Sequence, residues 1–129
     1  MDSDYLEDAL LDHVLGGGDF TRPVNLTIEL FTVTPSDSGG GTKVTGGGYA
    51  ALVVTNNATN FPAASGGAKS NGTVLDFGTP SVSWGTVVAV GVEDGSGNLL
   101  KWGPVSPNKE CPAGDPVQFA VGDLDFSHD

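Results

Sequence analysis

Two histidines, one cysteine and sixteen carboxylates are the groups from which this 129-residue chain would have to build chemistry. A hydrolytic triad needs an imidazole beside a positioned nucleophile, yet His13 lies on the predicted helix and His128 one residue from the end of the sequence, and neither is well placed for that role. Cys111 would act as a thiolate only with its pKa lowered by a cation or a helix start. It sits in Glu110-Cys111-Pro112, within a proline-rich segment. Zinc takes clustered Cys and His, which this composition does not supply. Asp94, Ser96 and Asn98 alternate as oxygen donors to a hard cation do, and Asp123 and Asp125 repeat the pattern. An EF-hand loop counted from Asp94 nevertheless puts Leu99 where glycine is required and Val105 where glutamate is required. A turn is the reading for that segment. No carboxylate pair is singled out for glycoside hydrolysis. The runs Gly16–Gly18, Gly39–Gly41 and Gly46–Gly48 lack the lysine and the strand-turn-helix setting of a phosphate loop and read as flexible connections. The sequence thus implies no catalytic residue, no cofactor and no metal site.

Charge narrows the partners. The chain carries −11 with five basic residues, of which Arg22 is the only arginine. Nucleic acid and anionic membrane surfaces are both bound through clustered Lys and Arg, so neither is an expected partner. Trp84 and Trp102 fit a core or subunit interface better than a carbohydrate platform, because each lies in a strand-like segment. An acidic N-terminus is unlike a basic leader, and no apolar run approaches the roughly 20 residues of a membrane span. Folding in a cytoplasm is the expectation, which empties the Asn25, Asn57 and Asn71 sequons of meaning. With one cysteine, no intrachain disulfide forms.

The elements that would position any binding surface follow from periodicity. Leu6, Leu10 and Val14, with Ala9 and His13, recur at helical spacing over 4–15, opposite Asp4, Glu7, Asp8 and Asp12. Ser3 or Asp4 caps this helix, with Glu7 reaching back to Asp4, and Gly16–Gly18 end it. Residues 1–20 form an acidic helical arm with a glycine hinge, and 21–129 a β-domain. In 24–34, Leu26, Ile28 and Leu30 alternate with Asn25, Thr27 and Glu29 as in a half-buried strand. An exposed mobile loop is expected at 35–48, a strand at 49–56, and a second polar excursion at 57–72, pinned by Phe61. Further strands are predicted at 73–77, 82–84 and 86–93. The last pairs with 99–102 across Asp94-Gly95-Ser96-Gly97-Asn98. Pro104, Pro107 and Pro112 then break the chain, and 116–120 opens a final strand, with Leu124 and Phe126 as its candidate continuation. Twenty glycines and eight prolines among enough Val, Leu and Phe suit short strands joined by turns. The predicted fold is mainly β: a single-domain antiparallel β-sandwich, jelly-roll-like, with one N-terminal α-helix and seven or eight strands.

Ordered segments carry a resemblance over most of the chain. Ser3 to His13, Thr21-Arg22-Pro23, Leu30-Phe31-Thr32-Val33 with Pro35, and Gly46-Gly47-Gly48-Tyr49-Ala50 are the first of them. Ser83 to Val87, Gly97-Asn98-Leu99-Leu100 and Gly122-Asp123-Leu124 complete the set. Together they resemble a family of small proteins of tailed bacteriophages, often labelled tail-fibre-like. The chain departs from that pattern at Ala51, where an arginine usually stands. The resemblance implies a non-enzymatic virion structural protein, assembled in the bacterial host cytoplasm and binding phage capsid or tail proteins. The expected form is a homo-oligomer, with a trimer among the options. Lacking repeats and long heptads for a shaft, the chain is expected to be a head decoration, or cement, protein that stabilises the shell. A tail, collar or fibre-base component is the alternative, and a host-glycan-binding module a third. Asp4, Glu7, Asp8 and Asp12 on the helix, with Asp37, Lys43 and Tyr49 in the first loop, are the candidate partner contacts.

Overall fold

The computed structural model describes residues 1–128. One helix, α1 (Asp4–Val14), precedes nine strands: β1 (Asn25–Val33), β2 (Thr42–Lys43), β3 (Leu52–Thr55), β4 (Ala68–Ser70), β5 (Leu75–Gly78), β6 (Thr86–Glu93), β7 (Leu99–Glu110), β8 (Val117–Phe119) and β9 (Asp125–Ser127). All strand pairs are antiparallel. The mainly β antiparallel class with one N-terminal helix is what the periodicity predicts.

A five-stranded sheet is the frame. β6 pairs with β1 on one side, from Thr27↔Glu93 to Phe31↔Ala89, and with β7 on the other. The far edge of β1 is shared, with β3 beside its first half and β2 beside its end. Two smaller sheets, β4–β9 and β5–β8, complete the set. Ile28 and Leu30 of β1, Val87, Val90 and Val92 of β6, Leu75 and Phe77 of β5, and Val117 and Phe119 of β8 share one core with Phe61 and Trp84. The β5–β8 pair therefore packs against one face of the frame, and burial of this shared apolar core is the main favourable contribution to folding.

β1 departs from the half-buried pattern. Glu29 and Phe31 are buried along with Ile28 and Leu30, because the frame's second face is also covered. Around Phe31 lie Tyr5 of the helix, Asp37–Gly40 and Leu99. The N-terminal segment is fastened there through its backbone. Met1 N donates to Trp102 O at 2.8 Å, Trp102 N to Met1 O at 2.9 Å, and Ser3 N to Leu100 O at 2.8 Å. Met1–Ser3 thus extend the sheet beyond the start of β7. Ser3 caps α1, its Oγ accepting from Leu6 N at 3.2 Å; the cap falls on Ser3, and Asp4 becomes the first helical residue. Leu6 is buried and Ala9 and Leu10 are half-buried, but Val14, on the same apolar stripe, is exposed.

Several boundaries shift. β7 runs through Pro104 and Pro107 where a break was expected. Ala89 faces Pro104 and Val87 faces Lys109, so residues 105–108 bulge opposite Val88. Past Trp102 this strand pairs only with β6, and an edge strand or bulge tolerates a missing N–H. Val82–Trp84 form no strand; Trp84 is held by its N–H on Cys111 O at 2.9 Å, with Cys111 N on Gly85 O at 3.0 Å. The expected strand at 49–56 shortens to β3. The loops expected at 35–48 and 57–72 contain β2 and β4, and Val44 in the first is buried. Leu124 and Phe126 do not prolong β8: a turn at Ala120–Asp123 leads into β9, which pairs with β4.

Candidate partner-docking surface

Two buried carboxylates, Glu29 and Glu93, lie on adjacent strands of the frame. Alternation along β1 and β6 places Glu29 and Glu93 on the face away from the core, in register with Gly91 and Thr27. Lys43 on β2 lies 2.8 Å from Glu93 and 3.7 Å from Glu29. Tyr49 donates its hydroxyl to Glu29 Oε1 at 2.6 Å and accepts Leu30 N–H at 2.9 Å. That hydroxyl fills the gap between β2 and β3, while Leu30 O accepts Val44 N–H at 3.0 Å. The Tyr49 ring stacks on Phe77 and meets Trp84 edge-on. Two carboxylates taken out of water are tolerated because each keeps a charged or hydrogen-bonding partner. The hydrogen bond to Glu93 holds the Lys43 ammonium above its ordinary pKa, against burial and with help from Glu29. Burial first, then the bond to Glu29, pushes the Tyr49 phenol well up. This arrangement braces the sheet edge; it presents no nucleophile with a matched base.

The first-loop candidates divide. Asp37 accepts Trp102 Nε1–H at 3.0 Å, and its carbonyl accepts Asp4 N–H at 2.9 Å. Asp4, Asp37 and Lys43 line one groove together with Tyr5, Glu93 and Asn98. Tyr49 is turned inward, away from it. Glu7 is half-buried, whereas Asp8 and Asp12 are exposed on the outer side of α1. Beside them Leu11, Val14 and Leu15 are also exposed.

Other chemistry-bearing side chains serve the scaffold. The Cys111 thiol is buried, and burial raises its pKa against the pull of Lys109. Asp94 accepts Ser96 N–H and Asn98 N–H, each at 2.9 Å, which is the turn the sequence implies. Burial opposes ionisation there, but these bonds and the Asn98 amide carry its pKa below the ordinary value. Trp84 is buried, with Nε1–H on Gly47 O at 2.9 Å. His13 accepts Phe20 N–H at 3.1 Å. His128 lies 2.6 Å from buried Asp2, whose other oxygen meets Lys101. Sequence reasoning missed Asn71. Buried, it donates Nδ2–H to Thr73 O and Ala120 O, each at 2.9 Å, and accepts Leu124 N–H at 3.0 Å. Among the described residues no group of three His, Cys, Asp or Glu is placed to hold a metal ion, and no helix is long and apolar enough to cross a membrane.

The architecture is a braced β-scaffold whose distinctive exposed feature is the outer side of one helix. No curated protein matches the chain. Residues 2–127 match the family described as Podophage GP4 fiber I protein gp80. That match spans nearly all of the sequence, from the N-terminal clasp to β9, and so the chain belongs to this family of phage fibre proteins.

Proposed function

We propose that the protein is a non-enzymatic structural component of the podophage tail, working as a compact docking module within a fibre assembly. The observation that carries this reading is the family match over residues 2–127. The fold is consistent with it. Buried carboxylates, both tryptophan N–H groups and the N-terminal segment are all committed to internal contacts, as suits a rigid scaffold that keeps its shape under load. The docking contacts are the exposed acids of α1, with Asp4, Asp37 and Lys43 along the neighbouring groove. The partner is another virion protein, met during assembly in the host cytoplasm, and the β-domain packs as a homo-oligomer, with a trimer the first form to test.

Head decoration is the second reading. It is favoured by a short helix leading into one small domain, with no heptads or repeats in these residues to form a shaft. Labelling the protein on intact particles and imaging them by electron microscopy separates the two. Label confined to the tail supports the fibre reading, and label over the whole head supports decoration. Particles without label sink both.

A further inference from the structure

Leu11 and Val14 stand on the last turn of α1 and Leu15 is the C-cap residue that follows it; they are 57%, 72% and 73% exposed. Other exposed large apolar side chains, apart from Met1 and Tyr5, are valines on separate segments. Single exposed valines are ordinary, whereas apolar side chains gathered on one helical turn mark a contact surface. Asp8 lies one turn before Leu11 and two before Leu15, and Asp12 one turn before Leu15, so both acids flank the apolar group. The helix is already oriented, since Ser3 and Leu6 fix its first turn to the sheet. A preformed surface binds with less ordering cost than a free arm.

We infer that this turn of α1 seats the protein on another virion protein, and that the seat is an apolar groove rimmed by lysine or arginine side chains that meet Asp8 and Asp12. The inference deepens the structural role proposed above and rests on it. Charge selects this occupant over a second copy. The chain carries −11, Lys43 is held by Glu29 and Glu93, and Lys101 by Asp2. Arg22, Lys69 and Lys109 lie on separate segments and form no basic rim. A second copy would bring acids against acids, which an interface avoids. An anionic lipid surface is disfavoured for the same reason.

The test is incorporation. A phage lacking this gene is complemented in trans with wild type, with L11S/V14S/L15S, with D8N/D12N or with L15K, and copies per purified particle are counted by quantitative mass spectrometry. Circular dichroism and thermal melting of each purified protein check the fold. Wild type is expected on particles, with the apolar triple variant and L15K at least tenfold depleted and D8N/D12N several-fold depleted, all at unchanged melting temperature. Should the triple variant unfold, L15K decides alone, because Leu15 follows the last helical residue and is exposed. Wild-type copy number for the folded apolar variants overturns the inference while leaving the structural role intact; absence of wild type from particles strikes that role itself. Sedimentation supplies the other arm: an oligomer of the wild type that dissociates in the apolar variants puts a second copy on this face and also overturns the inference.

Discussion

Tyr49 and Glu29, twenty residues apart in sequence, share a 2.6 Å hydrogen bond that closes the outer edge of β1 where neither β2 nor β3 reaches. Because the same hydroxyl accepts Leu30 N–H, removing it leaves a backbone donor and a buried carboxylate short of partners together. Tyr49→Phe keeps the ring on Phe77 and Trp84 and should still destabilise the fold by about 1–3 kcal/mol, the cost of unsatisfied buried groups. Urea unfolding measures this. Stability within error of wild type would mean that water replaces the hydroxyl.

The same cluster sets an alkaline limit. Lys43 and Tyr49 both have folded pKa values above their ordinary ones. A group raised in the folded state contributes stability that is complete below its unfolded pKa and is lost as pH rises toward the folded value. Unfolded Tyr and Lys titrate at about 10 and 10.4, so urea midpoints should hold up to about pH 9.5 and decline above pH 10. Tyr49→Phe should decline less steeply than wild type across that range. Parallel curves would remove Tyr49 from the account.

Much of the frame was legible because alternation and turn chemistry are local. Thr86–Glu93 and the Asp94 turn follow from β-branched residues next to a short Asp-Gly-Ser-Gly-Asn segment, and Ser3 is a capping residue wherever a helix follows it. What was illegible depends on which chain covers which. Nothing in Asn25–Val33 says that Phe31 lies against the N-terminal segment and residues 37–40, or that Glu29 is met by Lys43 and Tyr49. Pro104 and Pro107 read as breaks because sequence does not show that β7 lies at an edge. Tyr49 and Lys43 read as contacts from their setting in a polar, glycine-rich stretch, whereas Lys43 is partly spent on two acids. On the helix, the acids were legible as a wet side, but Val14 and Leu15 were not legible as exposed, since a helical stripe does not reveal where its support stops.

Asn71 presents a sharper case. Its side chain joins the segment after β4 to the turn between β8 and β9 through two hydrogen bonds, one given to Ala120 O and one received from Leu124 N–H, and a third, given to Thr73 O, fixes its own loop. Its backbone adds Gly122 N–H on Asn71 O at 3.0 Å. Asn71→Ala strands two carbonyls and one N–H and should cost roughly 2–4 kcal/mol. Asn71→Asp keeps the acceptor for Leu124 N–H but turns the donor into a second acceptor facing two carbonyls, so it should be no better tolerated at neutral pH. Thermal melting of both variants tests this, and a melting temperature for Asn71→Ala within a degree of wild type would refute the hub role.

The glycine runs read from sequence as flexible connections, and the structure separates them. Gly47 has φ +58°, and a Cβ built there would stand 2.6 Å from Val82 O and 2.8 Å from the Trp84 ring. The backbone approaches so closely because Gly47 O receives the indole N–H. Gly47→Ala would incur both the left-handed backbone penalty of about 1–2 kcal/mol and a clash with backbone that cannot rotate away, for a total of about 3 kcal/mol or more. Gly17 has no such φ and nothing within 4 Å of a built Cβ, so Gly17→Ala should change stability by less than about 0.5 kcal/mol. If both substitutions were equally mild, the glycines at 46–48 would be spacers after all. If only Gly47→Ala unfolds the domain, the Gly47–Trp84 approach is what fixes the path of the first loop across the core.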